Sequence, residues 1–198
     1  MAYHGYIPYM KRYLSGLKSP KVLEIGLDVG ITTIPIINFL TRFHNSFEFT
    51  GIDILLQDSL IIILNNIDFF EGQKVLLRQS NSLNVLPDLS KSEKKFDLIL
   101  LDGDHNYYTV KKELEHITDI STDNTVVIVD DYHGRWSDRD LWYSDRPGYD
   151  KVLESTKPVE TDKHGVKTAV DEFLVNNPNW FLSCPINGEP VVLTKRKL

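Results

Sequence analysis

Apolar stretches of strand length alternate along this chain with longer helical patterns. The strand-like stretches are KVLEIG (21–26), FEFTGIDI (47–54), KVLLRQS (74–80), FDLILL (96–101) and TVVIVDDY (125–132). Helical patterns are predicted at 31–43, 56–70, 110–117 and 165–177. The fourth strand is apolar at four successive positions, 98–101, which indicates a strand covered on both faces. Such repeated alternation predicts a doubly wound parallel sheet.

The end of the chain shows a different pattern. Two apolar runs, WFLSCPI and EPVVLTK, flank Asn187–Gly188, and Asn-Gly between apolar runs is typical of a two-residue β-hairpin. We therefore predict an α/β fold of the Rossmann-like, doubly wound kind. Its mostly parallel seven-stranded sheet ends in a C-terminal antiparallel hairpin, and residues 1–198 form a single domain.

Composition narrows the function classes. The formal net charge of −6 and pI of about 5.5 argue against a general nucleic-acid binder, which needs a basic surface. Cys184 is the only cysteine, which excludes an intramolecular disulfide and fits a reducing compartment. The N-terminus lacks a signal-peptide pattern, and the longest aliphatic run, Leu60–Leu64, is too short to span a bilayer. We expect a soluble, cytoplasmic protein that binds neither membrane nor nucleic acid.

The first strand–helix turn, LEIGLDVGITT, contains Gly26 and Gly30. Glycines there permit a tight turn and close approach of a ligand to the backbone. The dinucleotide fingerprint fails, because Asp28 and Ile31 stand at its second and third glycine positions. Glu24 lies inside the strand, where an acid is costly unless it meets a cation or donor, such as the ammonium group of an amino-acid-bearing cofactor. A glycine turn with a solvated glutamate is the structural alternative.

Acidic residues follow three of the predicted strands. Asp53 ends the second strand, where its two oxygens could accept both hydroxyls of a ribose or could cap the next helix. The fourth and fifth strands end in LDGDH and VDDYH. The carboxyl ends of neighbouring parallel strands lie at one edge of the sheet, so these two clusters are expected to converge. A strand-ending turn is the alternative for the second cluster.

Together, VLEIGLDVG, Asp53, SNSL, LDGDH and the closing hairpin resemble class I S-adenosylmethionine-dependent methyltransferases. LDGDHNYYTVKKELE, VIVDDYH and AVDEFL further resemble the metal-dependent sugar O-methyltransferases of the macrocin and novobiocin type. The resemblance implies S-adenosylmethionine as cofactor, bound by Glu24, Gly26, Gly30, Asp53, Asn81, Ser82 and Asp102. Asn81 stands where the family often has an aspartate that touches adenine.

The resemblance also implies a metal site and a catalytic base. The family's metal aspartates match Asp102, Asp130 and Asp131, and carboxylate oxygens suit Mg²⁺ or another divalent cation. Asp104 and His105 occupy the two positions that hold the base in different members. His105 is preferred because its ordinary pKa lies nearer neutrality. His133 is a lesser candidate.

Two segments fall outside the sheet pattern. Residues 133–162 carry arginines and aromatic residues with few aliphatics, which is typical of a functional lid and would suit a sugar or an acidic acceptor; surface packing or a subunit contact is the alternative. Residues 1–20 form an N-terminal cap segment whose tyrosines would cover the cofactor or pack in a homo-oligomer.

We expect an O-methyltransferase acting on a small-molecule hydroxyl, as in a sugar or vicinal diol. The alternatives are a catechol-type phenol O-methyltransferase and a non-catalytic S-adenosylmethionine-binding module.

Overall fold

The computed structural model describes residues 6–183 and 190–196. Its strands are β1 Lys21–Ile25, β2 Phe47–Asp53, β3 Gln73–Gln79, β4 Phe96–Leu101, β5 Ser121–Val129, β6 Trp180–Ser183 and β7 Val191–Lys195. Its helices are α1 Tyr6–Ser15, α2 Thr33–Phe43, α3 Asp58–Asn65, α4 Ser82–Lys91, α5 Tyr107–Ile117 and α6 Val166–Asn176. Within these described ranges, no helix is long and apolar enough to cross a membrane.

The strands form one seven-stranded sheet in the order β3-β2-β1-β4-β5-β7-β6. The first five strands pair in parallel, and β7 pairs antiparallel with both β5 and β6. The prediction of a mostly parallel seven-stranded sheet with a closing antiparallel hairpin is therefore confirmed. Strand order reverses between β1 and β4, and ligands of doubly wound folds bind in the crevice at such a point.

Alternating side chains of the central strands build two cores, one on each face of the sheet. Leu98 and Leu100 of β4 pack with α1, α2 and α3, whereas Ile99 and Leu101 pack with α4, α5 and α6. All four side chains are almost fully buried. The apolar run in β4 thus reflects helices on both faces, as the sequence predicts.

Several element boundaries differ from those predicted. Helix α4 was not predicted, because its ten residues are weakly apolar and include Pro87. Helix α3 ends at Asn65 instead of continuing to residue 70, and β5 begins at Ser121, four residues before the predicted start. The Asn187–Gly188 turn and Cys184 lie outside the described residues.

The N-terminal segment forms helix α1, which packs against the face that carries α2 and α3. The Tyr6 hydroxyl donates to the Pro190 carbonyl oxygen at 2.6 Å, and the Tyr13 hydroxyl donates to the Asn124 carbonyl oxygen at 2.5 Å. Burial, and then the charge of Asp130, raises the pKa of Tyr6 to about 12. These two tyrosines therefore anchor the helix along the β5–β7 side of the sheet.

Candidate functional site

A pocket opens at the carboxyl ends of β1, β2 and β4, at the point where strand order reverses. It encloses about 730 Å³ of space, part of which is open to solvent. The predicted cofactor residues on its wall are Gly26, Asp53, Asn81, Ser82 and Asp102. Glu24 and Gly30 are not among the described residues that line it.

Close backbone approach explains the glycine at position 26. Gly26 has φ of +86°, a value that L side chains rarely adopt, and a Cβ there would overlap the carbonyl oxygen of Asp102. Gly30 has φ of +85°, and a Cβ there would lie 2.6 Å from Leu60 Cδ1 of α3. The first glycine thus allows β1 and β4 to meet at the pocket, and the second allows the turn to pack on a helix.

Glu24 is only 2% exposed, and burial raises its pKa to about 8. The Thr33 side chain counteracts this increase, and the charge of Asp53 adds to it. Its Oε2 atom has no hydrogen-bond partner among the described residues. A buried carboxyl oxygen without a donor is costly, so a donor supplied by a ligand would stabilise this part of β1. Glu24 has a carboxyl oxygen without a hydrogen-bond donor among the described residues, and the backbone two residues later, at Gly26, carries no side chain. Both features fit an amino-acid-bearing cofactor.

Asp53 organises the loop after β1. Its Oδ2 accepts from the backbone amides of Leu27 at 2.7 Å and Asp28 at 3.1 Å, and its Oδ1 accepts from the Leu55 amide at 2.9 Å. A carboxylate oxygen has two lone pairs, so Oδ1 can still accept from a ribose hydroxyl. Asp53 does not cap the next helix, which begins at Asp58.

Asn81 caps α4 and also binds a distant segment. Its Oδ1 accepts from the Leu83 amide at 2.9 Å. Its Nδ2 donates to the Glu154 carbonyl oxygen at 2.7 Å and to Thr156 Oγ1 at 2.8 Å. Both donor hydrogens of the side-chain amide are therefore used within the protein, although the residue lines the pocket.

Sequence reasoning missed a buried acid beneath Ser82. The Ser82 hydroxyl donates to Oε1 of Glu113 at 2.7 Å, and Glu113 is 1% exposed. Burial raises the pKa of Glu113 to about 8; the Ser82 bond opposes this change, and the charge of Asp104 adds to it. Helical spacing could have revealed this buried acid, because Glu113 lies on the same helix face as Val110, Leu114 and Ile117.

The acidic clusters of β4 and β5 converge as predicted. One ligand-capable atom from each of Asp102, His105 and Asp130 lies within 4.8 Å of the others. His105 Nε2 is 3.7 Å from Asp102 Oδ1, and burial, followed by the charge of Arg146, lowers the pKa of His105 to about 4. Two carboxylates and a neutral imidazole form a donor set that suits a divalent cation.

Asp131 lies beside that group. Its Oδ2 is 3.4 Å from Nδ1 of His105, while the backbone amides of Arg135 and Trp136 hydrogen-bond to its carboxylate and oppose the increase in pKa that burial causes. Asp131 has φ of +55°, an uncommon backbone conformation that concentrates at functional sites. The group of Asp102, His105 and Asp130 includes His105 where the resemblance implies Asp131. The Asp131 carboxylate lies beside His105 and is also bonded by the amides of its own loop, so its role as a metal ligand stays a prediction.

Asp104 points into the pocket wall. Its Oδ1 accepts from the Tyr143 amide at 2.9 Å, and its Oδ2 accepts from the Thr109 hydroxyl at 3.4 Å. Burial raises the pKa of Asp104 to about 6, and these two bonds oppose that increase. His133, the lesser base candidate, is exposed and packs against the Tyr132 ring with 4.6 Å between centroids.

The predicted lid contributes directly to the pocket. We refer to residues 143–156, which begin with a single turn of 3-10 helix at Tyr143–Asp145, as the strap. Tyr143, Tyr149 and Thr156 line the pocket together with the β1 and β2 ends. The rings of the two tyrosines lie edge to face with 5.0 Å between centroids.

A parallel sheet closed by an antiparallel hairpin, with its pocket at the first strand–helix turn, is the architecture of the class I S-adenosylmethionine-dependent methyltransferases. Residues 23–132 match the methyltransferase domain family, and the chain belongs to that family. No curated protein is significantly similar to it in sequence.

Solved structures share this fold. MycE, a methyltransferase of the mycinamycin biosynthetic pathway solved with Mg, SAH and mycinamycin VI, is 15% identical with a TM-score of 0.57, over 96% of this chain and 49% of MycE. CalS11, the TDP-rhamnose 3'-O-methyltransferase of calicheamicin biosynthesis, is 15% identical with a TM-score of 0.62, over 95% of this chain and 77% of CalS11. A Staphylococcus aureus protein provisionally named a caffeoyl-CoA O-methyltransferase is 18% identical with a TM-score of 0.59, over 96% and 82%. The chain thus spans about half the length of MycE.

Proposed function

We propose that this protein is a metal-dependent O-methyltransferase that methylates a hydroxyl of a small molecule, such as a sugar or other vicinal diol. The observation that carries the proposal is the approach of Asp102, His105 and Asp130 to within 4.8 Å, next to the pocket that Asp102 shares. A ligand group of this kind beside the cofactor would hold an acceptor oxygen close to the methyl donor.

In this proposal, Asp102, His105 and Asp130 would hold a divalent cation. Such an ion lowers the pKa of a bound hydroxyl and orients two neighbouring oxygens. Asp104 accepts the proton, because it lines the pocket while His105 belongs to the ligand group. S-adenosylmethionine held at Gly26 and Asp53 would supply the methyl group: the acceptor oxygen would bond to the methyl carbon as the carbon–sulfur bond breaks, and the electron pair would leave with S-adenosylhomocysteine.

Two variants separate the roles of Asp104 and His105. Removing a general base typically lowers turnover by about 10²–10⁴-fold, so Asp104→Asn should lower kcat by that factor and leave the Mg²⁺ requirement unchanged. His105→Gln should instead raise the Mg²⁺ concentration needed for half-maximal rate. If His105→Gln alone lowers kcat and the Mg²⁺ requirement stays constant, His105 is the base, as its ordinary pKa predicts.

A screen of sugar, vicinal-diol and catechol acceptors with labelled S-adenosylmethionine, with Mg²⁺ and with EDTA, tests the function. We expect transfer to a sugar or diol that EDTA abolishes and Mg²⁺ restores. Transfer to catechols alone would identify the phenol O-methyltransferase. Binding of S-adenosylhomocysteine in calorimetry without transfer to any hydroxylated acceptor would favour the non-catalytic module.

A further inference from the structure

We propose that the strap is part of the cofactor site, and that Asn81 contributes by fastening the strap. In this arrangement Tyr149 and Thr156 cover the adenosine half of S-adenosylmethionine, and the strength of the fastening sets how long the cofactor stays bound. The proposal rests on the proposed function, because it takes the pocket at Gly26 and Asp53 as the cofactor pocket.

The fastening consists of four hydrogen bonds between the α4 N-terminus and the end of the strap. Asn81 Nδ2 donates to the Glu154 carbonyl oxygen and to Thr156 Oγ1, at 2.7 and 2.8 Å. Glu154 Oε2 accepts from the backbone N–H of Asn81 at 3.4 Å and from Asn84 Nδ2 at 3.2 Å. Because Asn81 also caps α4, the strap is fastened to the helix that follows β3 at the pocket rim.

The other end of the strap is held at the acceptor side. The Tyr143 amide donates to Asp104 Oδ1 at 2.9 Å, which ties the strap to the loop after β4. Within the strap, the buried Ser155 hydroxyl donates to the Tyr149 carbonyl oxygen at 3.1 Å. The strap is therefore bonded at both ends and internally, and it bridges the acceptor side and the α4 side of one pocket.

Tyr149 and the end of β2 line the same pocket. Tyr149 lines it with Asp28 and Asp53, and its pKa is raised first by burial and then by the charges of those two carboxylates. Because Tyr149 and Asp53 line the same pocket, a nucleoside held by Asp53 would lie next to the Tyr149 ring. An aromatic ring there offers a large apolar surface to a nucleoside with little loss of side-chain entropy.

In this arrangement Asn81 bonds to the strap instead of contacting adenine. Its amide donors are already engaged, so they do not read the adenine edge while the strap is closed. Opening the strap breaks the Asn81 bonds and uncovers the wall formed by Tyr149 and Thr156. Release of the cofactor should therefore become faster when those bonds are weakened, even though no residue of β1 or β2 changes.

Dissociation of S-adenosylhomocysteine, followed by stopped-flow tryptophan fluorescence, tests this idea. Thr156→Val removes one acceptor of the Asn81 amide and should raise the dissociation rate about fivefold. Tyr149→Ala should raise the dissociation rate about tenfold or more. Tyr149→Phe should leave the rate close to that of the wild type, because the ring remains. 5'-Methylthioadenosine, which shares only the nucleoside half, should show the same fold-changes.

Thr161→Val is the matched control, since Thr161 lies beyond the strap and its hydroxyl accepts from the nearby Lys163 amide. Its dissociation rate should equal that of the wild type. The melting temperature of each variant without ligand, measured alongside, separates faster release through a weakened strap from a general loss of stability. If Thr156→Val and Tyr149→Ala both release S-adenosylhomocysteine at the wild-type rate, the strap proposal is wrong. A wild-type protein that does not bind S-adenosylhomocysteine would instead refute the proposed function.

Discussion

The two halves of the pocket edge differ in whether backbone geometry or titratable side chains shape them. Around β1 and β2, backbone atoms form the wall: Gly26 lets two strands meet, and Asp53 is occupied by the amides of the following loops. Around β4 and β5, titratable side chains dominate: Asp102 and Asp104 line the pocket, and Asp102 forms a group with His105 and Asp130 beside it. Substitutions in the backbone-built half should therefore lower the stability of the fold. Substitutions in the side-chain-built half should leave the fold intact and lower methyl-transfer activity.

The largest effect is expected from the side-chain-built half. Asp130→Asn should lower methyl-transfer kcat by about 10³-fold, since it removes one charged ligand from the proposed metal site, where a bound ion would supply several kcal/mol of transition-state stabilisation. Binding of S-adenosylhomocysteine should remain within about threefold, because Asp130 does not line the pocket. Asp138→Asn, an exposed change in the same loop, serves as control. Full activity of Asp130→Asn, or of the wild type in EDTA, would remove the metal from the mechanism.

The backbone-built half is tested by Gly26→Ala. The new Cβ would overlap the Asp102 carbonyl oxygen, and the residue would keep a positive φ. We expect a loss of about 3 kcal/mol in the free energy of unfolding, within the range for strained and overpacked sites, together with loss of S-adenosylhomocysteine binding. Gly16→Ala, where the nearest atom to the new Cβ is 3.6 Å away, should be neutral. Denaturant unfolding and calorimetry measure both effects, and wild-type affinity in Gly26→Ala would contradict the close approach of β1 and β4.

Glu113 sharpens the comparison because it is a buried acid beneath Ser82, next to the loop that follows β4. Its folded-state pKa of about 8 lies above the ordinary value of 4.5, so the folded protein holds a proton that the unfolded chain releases. Its contribution to stability is therefore complete below about pH 4.5 and is lost as pH rises towards 8. Glu113→Gln should remove this decline and be more stable than the wild type at pH 8, by an amount on the order of 2 kcal/mol, with equal stability at pH 4. Urea unfolding at both pH values measures this difference, and equal stability at pH 8 would mean that Glu113 is ionised in the folded protein.

The smallest effect concerns the N-terminal helix, which anchors near the side-chain-built half. Tyr6→Phe removes the buried hydrogen bond to the Pro190 carbonyl oxygen and should cost about 1 kcal/mol of stability. S-adenosylhomocysteine affinity should not change, because Tyr6 does not line the cofactor pocket. Reduced affinity at unchanged stability would instead support the expectation that this segment caps the cofactor.

Sequence determined the layers of this protein and the edge at which its chemistry collects. Apolar runs such as Leu98–Leu101 can be satisfied only by cover on both faces, and parallel strands must deliver their following loops to one edge. The convergence of Asp102 with Asp130 was therefore predictable. Helix α4 was not, because its weak apolar pattern and Pro87 give little local preference, and its packing into the core decides the outcome.

Only the tertiary structure decided which atoms face which. The resemblance assigned Asp131 to the metal and Asn81 to adenine. Asp131 is bonded by the nearby amides of Arg135 and Trp136, whereas Asn81 is bonded by Glu154 and Thr156, which lie 73 and 75 residues further along the chain. Local patterns specify strands and helices because neighbouring residues share one backbone geometry. Side-chain direction at a loop is set by hydrogen bonds between segments whose proximity exists only after folding.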